Sequence, residues 1–290
     1  MSTASPNSNI YAGEPLALVG VPSDLHSSYL RGAARAPSAI RAALRCESAN
    51  AWSECGLDLG AEGVLFDAGD LERAAADDDF DAIEREVGAL WERGASVIGL
   101  GGDHAVTGPL VRAARPHFER LSVLHFDAHP DTYDDFEGDP RSHASPFARL
   151  CEAGAIDRLV QVGIRTANDH LREQARRFGI EVIEMRHWER TAELRFEGPL
   201  YVSFDLDVLD PAHAPGVSHW EPGGASTRQV LDLLHRLGDA GADVVGGDVV
   251  ELNPERDPSG RSAMVAARVA RELAARALRS RARRGGSAQR

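Results

Sequence analysis

The 290-residue chain has length for two ordinary domains or one large α/β domain; it is 43 % hydrophobic and 27 % charged, and no apolar run approaches the roughly 20 residues that span a bilayer. All 32 basic residues are arginines, and without a lysine Schiff-base chemistry, pyridoxal phosphate enzymes and the Gly-Lys-Ser/Thr phosphate loop are excluded. The net charge of −13 includes six arginines, Arg276 to Arg290, in a tail without carboxylates; subtracting those six leaves −19 on the rest, which disfavours nucleic acid and favours a cationic metabolite or a metal.

Residues 1–14 have no basic region followed by an apolar block and read as a mobile N-terminus without a signal peptide. Residues 16–21 form the first apolar run, and residues 38–46 a helical pattern. A short run at 64–66 precedes Asp77-Asp78-Asp79, which reads as an N-cap and solvated first turn for a helix over 80–91. Strands are expected at 96–100, 122–126, 159–162, 180–183, 200–204 and 243–247. Helices are expected at 106–115, 147–152, 169–178, 227–237 and from 261 to about 279. Continuous apolar strands alternating with amphipathic helices predict a three-layer α/β/α sandwich with a mostly parallel sheet of about eight strands. It would form one domain over 15–280, with 281–290 a basic mobile tail. Cys46, Cys55 and Cys151 lack metal-site spacing and suit a reducing compartment, so a cytosolic location is expected.

Ligands of such sheets sit beyond the carboxyl ends of the strands. Three strand ends carry Gly101-Gly102-Asp103-His104, Asp127-Ala128-His129-Pro130-Asp131, and Asp205-Leu206-Asp207 with Asp210-Pro211 beyond. Residues two apart on an extended chain point the same way, so Asp127, His129 and Asp131 converge, as do Asp205 and Asp207. Four carboxylates within 4 Å of one another repel by about 1 to 4 kcal/mol per pair, so a cation is required. Two divalent ions balance the four aspartates where one does not. Carboxylate and imidazole ligands without thiolate suit Mn²⁺ first, with Co²⁺, Ni²⁺ or Zn²⁺ as alternatives.

These segments resemble the signatures of the ureohydrolase (arginase/agmatinase) family: Gly-Gly-Asp-His at 101–104, Asp-Ala-His-Pro-Asp at 127–131 and Ser-Phe-Asp-Leu-Asp-Val-Leu-Asp-Pro at 203–211. The likeness extends to Gly20-Val21-Pro22-Ser23-Asp24 and to Asp248 through Pro254, and covers about residues 15–275. It implies that His104, Asp127, Asp131 and Asp205 hold one manganese, and that Asp127, His129, Asp205 and Asp207 hold the other. A hydroxide bridging the ions would then hydrolyse a guanidino group to urea and an amine. By the same likeness Glu251 grips the guanidinium, with Asp131 beside the reacting centre. His143, in Ser142-His143-Ala144, passes a proton to the leaving amine. Family members usually assemble as trimers or hexamers, so a homo-oligomer is expected.

The loop Thr132-Tyr133-Asp134-Asp135-Phe136-Glu137-Gly138-Asp139 carries four carboxylates. That makes a poor cradle for a substrate carboxylate, so a small cationic substrate, agmatine first, is expected with Asp134 as a contact. His219 and Trp220 depart from the agmatinase pattern and are read as pocket residues, so guanidinobutyrate, arginine and formiminoglutamate stay open. His125 reads as a core residue, and Arg165 as a partner for a nearby carboxylate or a structural salt bridge. A dinuclear phosphoesterase and a non-catalytic metal-binding relative are the readings from other classes. No nucleic-acid or membrane partner is expected.

Overall fold

In β1 (Leu16–Val21), Leu16 and Leu18 join one hydrophobic core while Ala17, Val19 and Val21 join another. A strand apolar at every position therefore buries both faces, as the period of two requires. The computed structural model describes residues 16–287. After β1 come α1 (Ala36–Leu44), β2 (Phe66–Asp70), α2 (Glu72–Ala76), α3 (Phe80–Glu92), β3 (Ser96–Gly101), α4 (Thr107–Ala114), β4 (Ser122–Phe126) and α5 (Pro146–Glu152). The chain continues through β5 (Arg158–Ile164), α6 (Asp169–Phe178), β6 (Glu181–Glu184), β7 (Pro199–Asp205), α7 (Thr227–Asp239), β8 (Asp243–Val250) and α8 (Arg261–Ser287).

The eight strands form one parallel sheet in the order β2-β1-β3-β8-β7-β4-β5-β6. Helices α1, α7 and α8 cover one face; α3, α4 and α5 cover the other. The four adjacent central strands β3, β8, β7 and β4 end at the same edge, and their ends carry His104, Glu251, Asp205 and Asp127. The expected three-layer architecture is the observed one.

Local chemistry sets the boundaries. Ser226 and Gln229 form a capping box at the start of α7, and Asn168 caps α6 through the Leu171 amide. Asp79 caps α3 through the Ala82 amide, as the aspartate run predicts. Two boundaries differ from expectation. β2 begins where the 64–66 run ends, because this half-exposed edge strand is fixed by charge: Arg41 donates to Asp67, to Asp70 and to the Gly69 carbonyl. Helix α8 runs to Ser287, through most of the stretch read as a mobile tail, because its arginines find partners. Arg281 donates to the Gly94 carbonyl, Arg283 to the Ala242 carbonyl at 2.8 Å, and Arg284 to Asp243. Residues 1–15 and 288–290, which include the expected mobile N-terminus, lie outside the described residues.

Candidate metal centre and active site

The same turn follows three of the central strands. An aspartate side chain accepts the amide two residues on: Asp103 from Ala105 at 3.1 Å, Asp127 from His129 at 2.5 Å, Asp205 from Asp207 at 2.7 Å. These Asx turns end each strand and aim the next polar side chains inward. Gly102 binds two of the neighbouring ends together. The Asp103 amide donates to the Ser23 carbonyl and the Glu251 amide to the Gly102 carbonyl, and a Cβ on Gly102 would sit 1.6 Å from the Ser23 oxygen. Asp131 and Glu251 have left-handed backbones, φ 50° and 63°, a strained state for carboxylate residues that concentrates at functional sites.

His104 is fully buried, and its Nδ1 lies 2.9 Å from Asp131, 3.1 Å from Asp127 and 3.1 Å from Asp205. This nitrogen has no hydrogen-bond partner of acceptable geometry. His129 Nδ1 lies 2.9 Å from Asp207 Oδ2 and 3.4 Å from Asp127 Oδ1. Asp127 thus turns one oxygen toward each histidine. All six residues expected as ligands lie in one cluster, buried except for the quarter-exposed His129 side chain.

A second set of buried residues holds the first in place. His104 Nε2 lies 3.1 Å from the Ser203 hydroxyl, which donates to Asp248 at 2.8 Å; the Tyr201 hydroxyl donates to the other Asp248 oxygen. With the Nε2 proton given to Ser203, Nδ1 presents a lone pair to three carboxylates. That donor set fits a cation and repels itself without one. His125 is in the core as expected, but it is also bonded: Nε2 donates to Asp127 at 2.7 Å while Nδ1 accepts from Gln161 at 3.1 Å. Without a cation between them these groups favour holding protons. Burial opposes charge on His104, yet Asp127, Asp131 and Asp205 hold its pKa well above the ordinary imidazole value. Burial and the Asp207 and Asp127 charges push Asp205 well above the carboxylate range. Burial and Asp127 push Asp207 up to about 6.

Beside the cluster, His143 Nδ1 donates to Glu251 Oε1 at 3.0 Å, and that oxygen also accepts the His104 amide at 2.9 Å. Burial opposes both charges, but the pair overrides it: Glu251 falls to about 2 and His143 rises to about 9. His143 Nε2 shares a hydrogen bond with the Ser28 hydroxyl at 2.9 Å, and the His143 amide donates to the His26 carbonyl. His26 was not singled out in the sequence. It bridges Asp139 at 2.6 Å and Asp78 at 2.8 Å, and its amide donates to Asp103, so one imidazole ties three loops behind His143. Asp103 is pushed up to about 7 by burial and by the Glu251 charge.

A pocket of about 270 Å³ opens over these groups, lined by His129, Asp131, His143, Asp205, Asp207 and Glu251 in its floor and by Ser28, Tyr133, Thr166, His219 and Glu221 around them. Two expected contacts are absent. Asp134 does not line the pocket; its carboxylate accepts from Gln174 at 2.8 Å and Arg177 at 3.0 Å, on the outer side of its loop. Asp135 is spent on the Gly138 amide and Asp139 on His26 and the Arg141 amide, and exposed Glu137, like Asp134 and Asp135, does not line the pocket. The inference from loop charge to substrate therefore loses its basis. Trp220 is 45 % exposed and donates to the Pro215 carbonyl, so of the two pocket readings only His219 lies in the wall. Arg165 meets no carboxylate among the described residues: it donates to the Glu221, Asp207 and Gly163 carbonyls and so shapes the loop after β7.

A parallel α/β sheet presenting clustered carboxylates and imidazoles beyond its central strands, with a buried Glu-His pair alongside, defines a metal-centred hydrolase. Residues 14–275 match the Arginase family. The chain is 47 % identical to arginase 1, mitochondrial, of Arabidopsis thaliana, covering 89 % of this chain and 80 % of that protein. It is 34 % identical to an agmatinase of Bacillus anthracis, covering 88 % and 89 %. The solved arginase of Medicago truncatula superposes with a TM-score of 0.85 at 42 % identity, covering 92 % of this chain and 89 % of that one. The chain belongs to the arginase family, whose members are binuclear-metal hydrolases of carbon–nitrogen bonds in linear amidines. The expected agmatinase-like placement inside the family gains no support from these identities.

No described helix is long and apolar enough to cross a membrane.

Proposed function

We propose that the protein hydrolyses the guanidino group of arginine to urea and ornithine, with two Mn²⁺ held by His104, Asp127, His129, Asp131, Asp205 and Asp207. Co²⁺, Ni²⁺ or Zn²⁺ are the alternatives for these ligands. The observation that carries the reading is the Glu251–His143 pair set against the ligand cluster in one small pocket. When bound, the ions would supply Lewis acidity and a nucleophile drawn from water at neutral pH. Glu251 Oε1 is committed to His104 and His143, which leaves Oε2 to accept the N–H groups of the substrate and orient its carbon. His143, charged below about pH 9, holds a proton on each ring nitrogen. The Nε2 proton, shared with Ser28, is available to the departing amine, which cannot leave as an anion.

Arginine is preferred to agmatine on the composition of the wall. None of the four loop carboxylates lines the pocket, and the outer wall offers the Ser28 and Tyr133 hydroxyls, the Thr166 hydroxyl being given to the Ala128 carbonyl, with one carboxylate, Glu221, 40 % exposed in its side chain and 3.9 Å from His129. Neutral donors plus one acceptor suit a zwitterionic α-amino acid end. The similarity to proteins named arginase supports the same choice. Agmatine is the second reading, because no arginine side chain lines this pocket to hold a carboxylate. Initial rates of urea release after manganese loading, on arginine, agmatine, guanidinobutyrate and formiminoglutamate, test it: kcat/KM should be highest for arginine, and a higher value for agmatine would reverse the assignment. The three cysteines are free, which fits a reducing compartment such as the expected cytosol.

A further inference from the structure

Outside this site, helix α8 carries an arginine of unusual standing. Arg271 is only 6 % exposed, and its guanidinium has no hydrogen bond or ion pair among the described residues. Neighbours on the same helix show the contrast: Arg268 pairs with Glu54 and Glu272, and Arg276 with Asp239. Burial and the Arg268 charge lower the Arg271 pKa, with Glu272 opposing. Arginine nevertheless keeps its proton at physiological pH, and because its charged neighbours Arg268 and Glu272 pair with each other, the Arg271 guanidinium is left for a ligand's carboxylate.

Arg271 lines a cavity of about 490 Å³ whose walls include Leu18, Leu44, Leu59, Leu65 and Ala274. The two other arginines there are satisfied, Arg41 by Asp67 and Asp70 and Arg45 by Asp67. Glu62, exposed and without an ion pair among the described residues, lines the same cavity. One guanidinium without a bonded partner, one spare carboxylate and an aliphatic wall offer a partner to each of the three parts of an aliphatic α-amino acid.

We propose that this cavity is a second ligand site, taking an aliphatic α-amino acid with its carboxylate on Arg271, its ammonium on Glu62 and its side chain among the leucines. It shares no residue with the catalytic pocket. Titration calorimetry on the full, manganese-loaded protein with L-leucine, 4-methylpentanoate and 3-methylbutylamine tests it. Leucine should bind most tightly. Arg271→Met should weaken leucine at least tenfold, whereas Glu62→Gln should weaken leucine and leave 4-methylpentanoate unchanged or tighter. Glu251→Gln, altered in the catalytic pocket, should retain leucine binding. Should Arg271→Met fail to fold, the Glu62→Gln series decides alone. The proposal is overturned by absence of binding, by leucine affinity unaffected by either cavity variant, or by binding lost only in Glu251→Gln. Self-association that disappears in Arg271→Met would also overturn it, by making a second copy of the chain the occupant.

Discussion

At the scale of single residues, the chemistry rests on groups whose burial is tolerable only because each is answered by another. Glu251 is charged at neutral pH because His143 and the His104 amide hold it so. Replacing it by Gln keeps the shape and removes the charge. Glu251→Gln should retain both metals and lower kcat/KM by about a hundredfold or more, since charge-assisted contacts to a guanidinium are roughly twice as strong as neutral ones. Metal content by mass spectrometry together with urea-release kinetics checks this, and near-normal turnover would reject the clamp. The carboxylates predict a pH effect of definite sign. Asp207 at about 6 and Asp103 at about 7 bind protons more tightly when folded than when unfolded. Their stabilisation of the metal-free protein is complete below the ordinary carboxylate pKa and is lost as pH rises through those values. His125 and His219, lowered by burial, act in the opposite sense but are outnumbered by the raised His104, His129 and His143. The metal-free melting temperature should therefore fall between pH 5 and 8. Over the same range Mn²⁺ affinity should rise by about tenfold per pH unit for each proton displaced; a pH-independent affinity would contradict the protonated ligand set.

At the scale of elements, strand register does work that no local motif announces. Gln161, His125, Ser203 and Asp248 stand opposite one another on the adjacent strands β5, β4, β7 and β8. They form a buried polar row, and from it His125 reaches Asp127 and Ser203 reaches His104. The ligands themselves were legible because each strand end delivers them within five consecutive residues. The supporting row was not, since its members are single polar letters in apolar runs and meet only through pairing. His125 could be assigned to the core from its surroundings, but its bond to Asp127 could not. His26 was hidden for a similar reason: its partners Asp78 and Asp139 lie 52 and 113 residues away. His26→Ala should lower kcat with little change in KM or metal content, because it frees the loop behind His143 while leaving the ligands intact. His26→Asn, which can still bond one carboxylate, should recover part of the loss. Equal kinetics in all three proteins would remove His26 from the account. The junction of β1, β3 and β8 is less tolerant. Gly102→Ala places a methyl inside the Ser23 carbonyl, so the strand ends must part, and a loss of about 3 kcal/mol or more in urea unfolding is expected.

At the scale of the whole molecule, an acidic chain of net charge −13 folds around a cluster of like charges, so metal and stability are coupled. Chelation should lower the melting temperature as well as abolish activity; an unchanged melting temperature would contradict the crowding of Asp127, Asp131, Asp205 and Asp207. The overall architecture followed from the alternation of apolar strands and amphipathic helices. The long final helix did not, because only packing shows that Arg281, Arg283 and Arg284 close onto the Gly94 and Ala242 carbonyls, just beyond α3 and α7, and onto Asp243 at the start of β8. We propose a homo-oligomer, trimer or hexamer, with exposed Leu25, Tyr29, Trp52, Phe66 and Trp220 as large apolar side chains available to an interface. Light scattering on the purified protein would expose a monomer. The central claim is tested most directly by anomalous diffraction from a manganese-loaded crystal. Two peaks about 3.5 to 4 Å apart are predicted, one against His104 Nδ1 and one against His129 Nδ1, both touching Asp127 and Asp205. A single peak, or density instead among His143, His219 and Glu251, whose ligand atoms lie within 4.8 Å of one another, would contradict it.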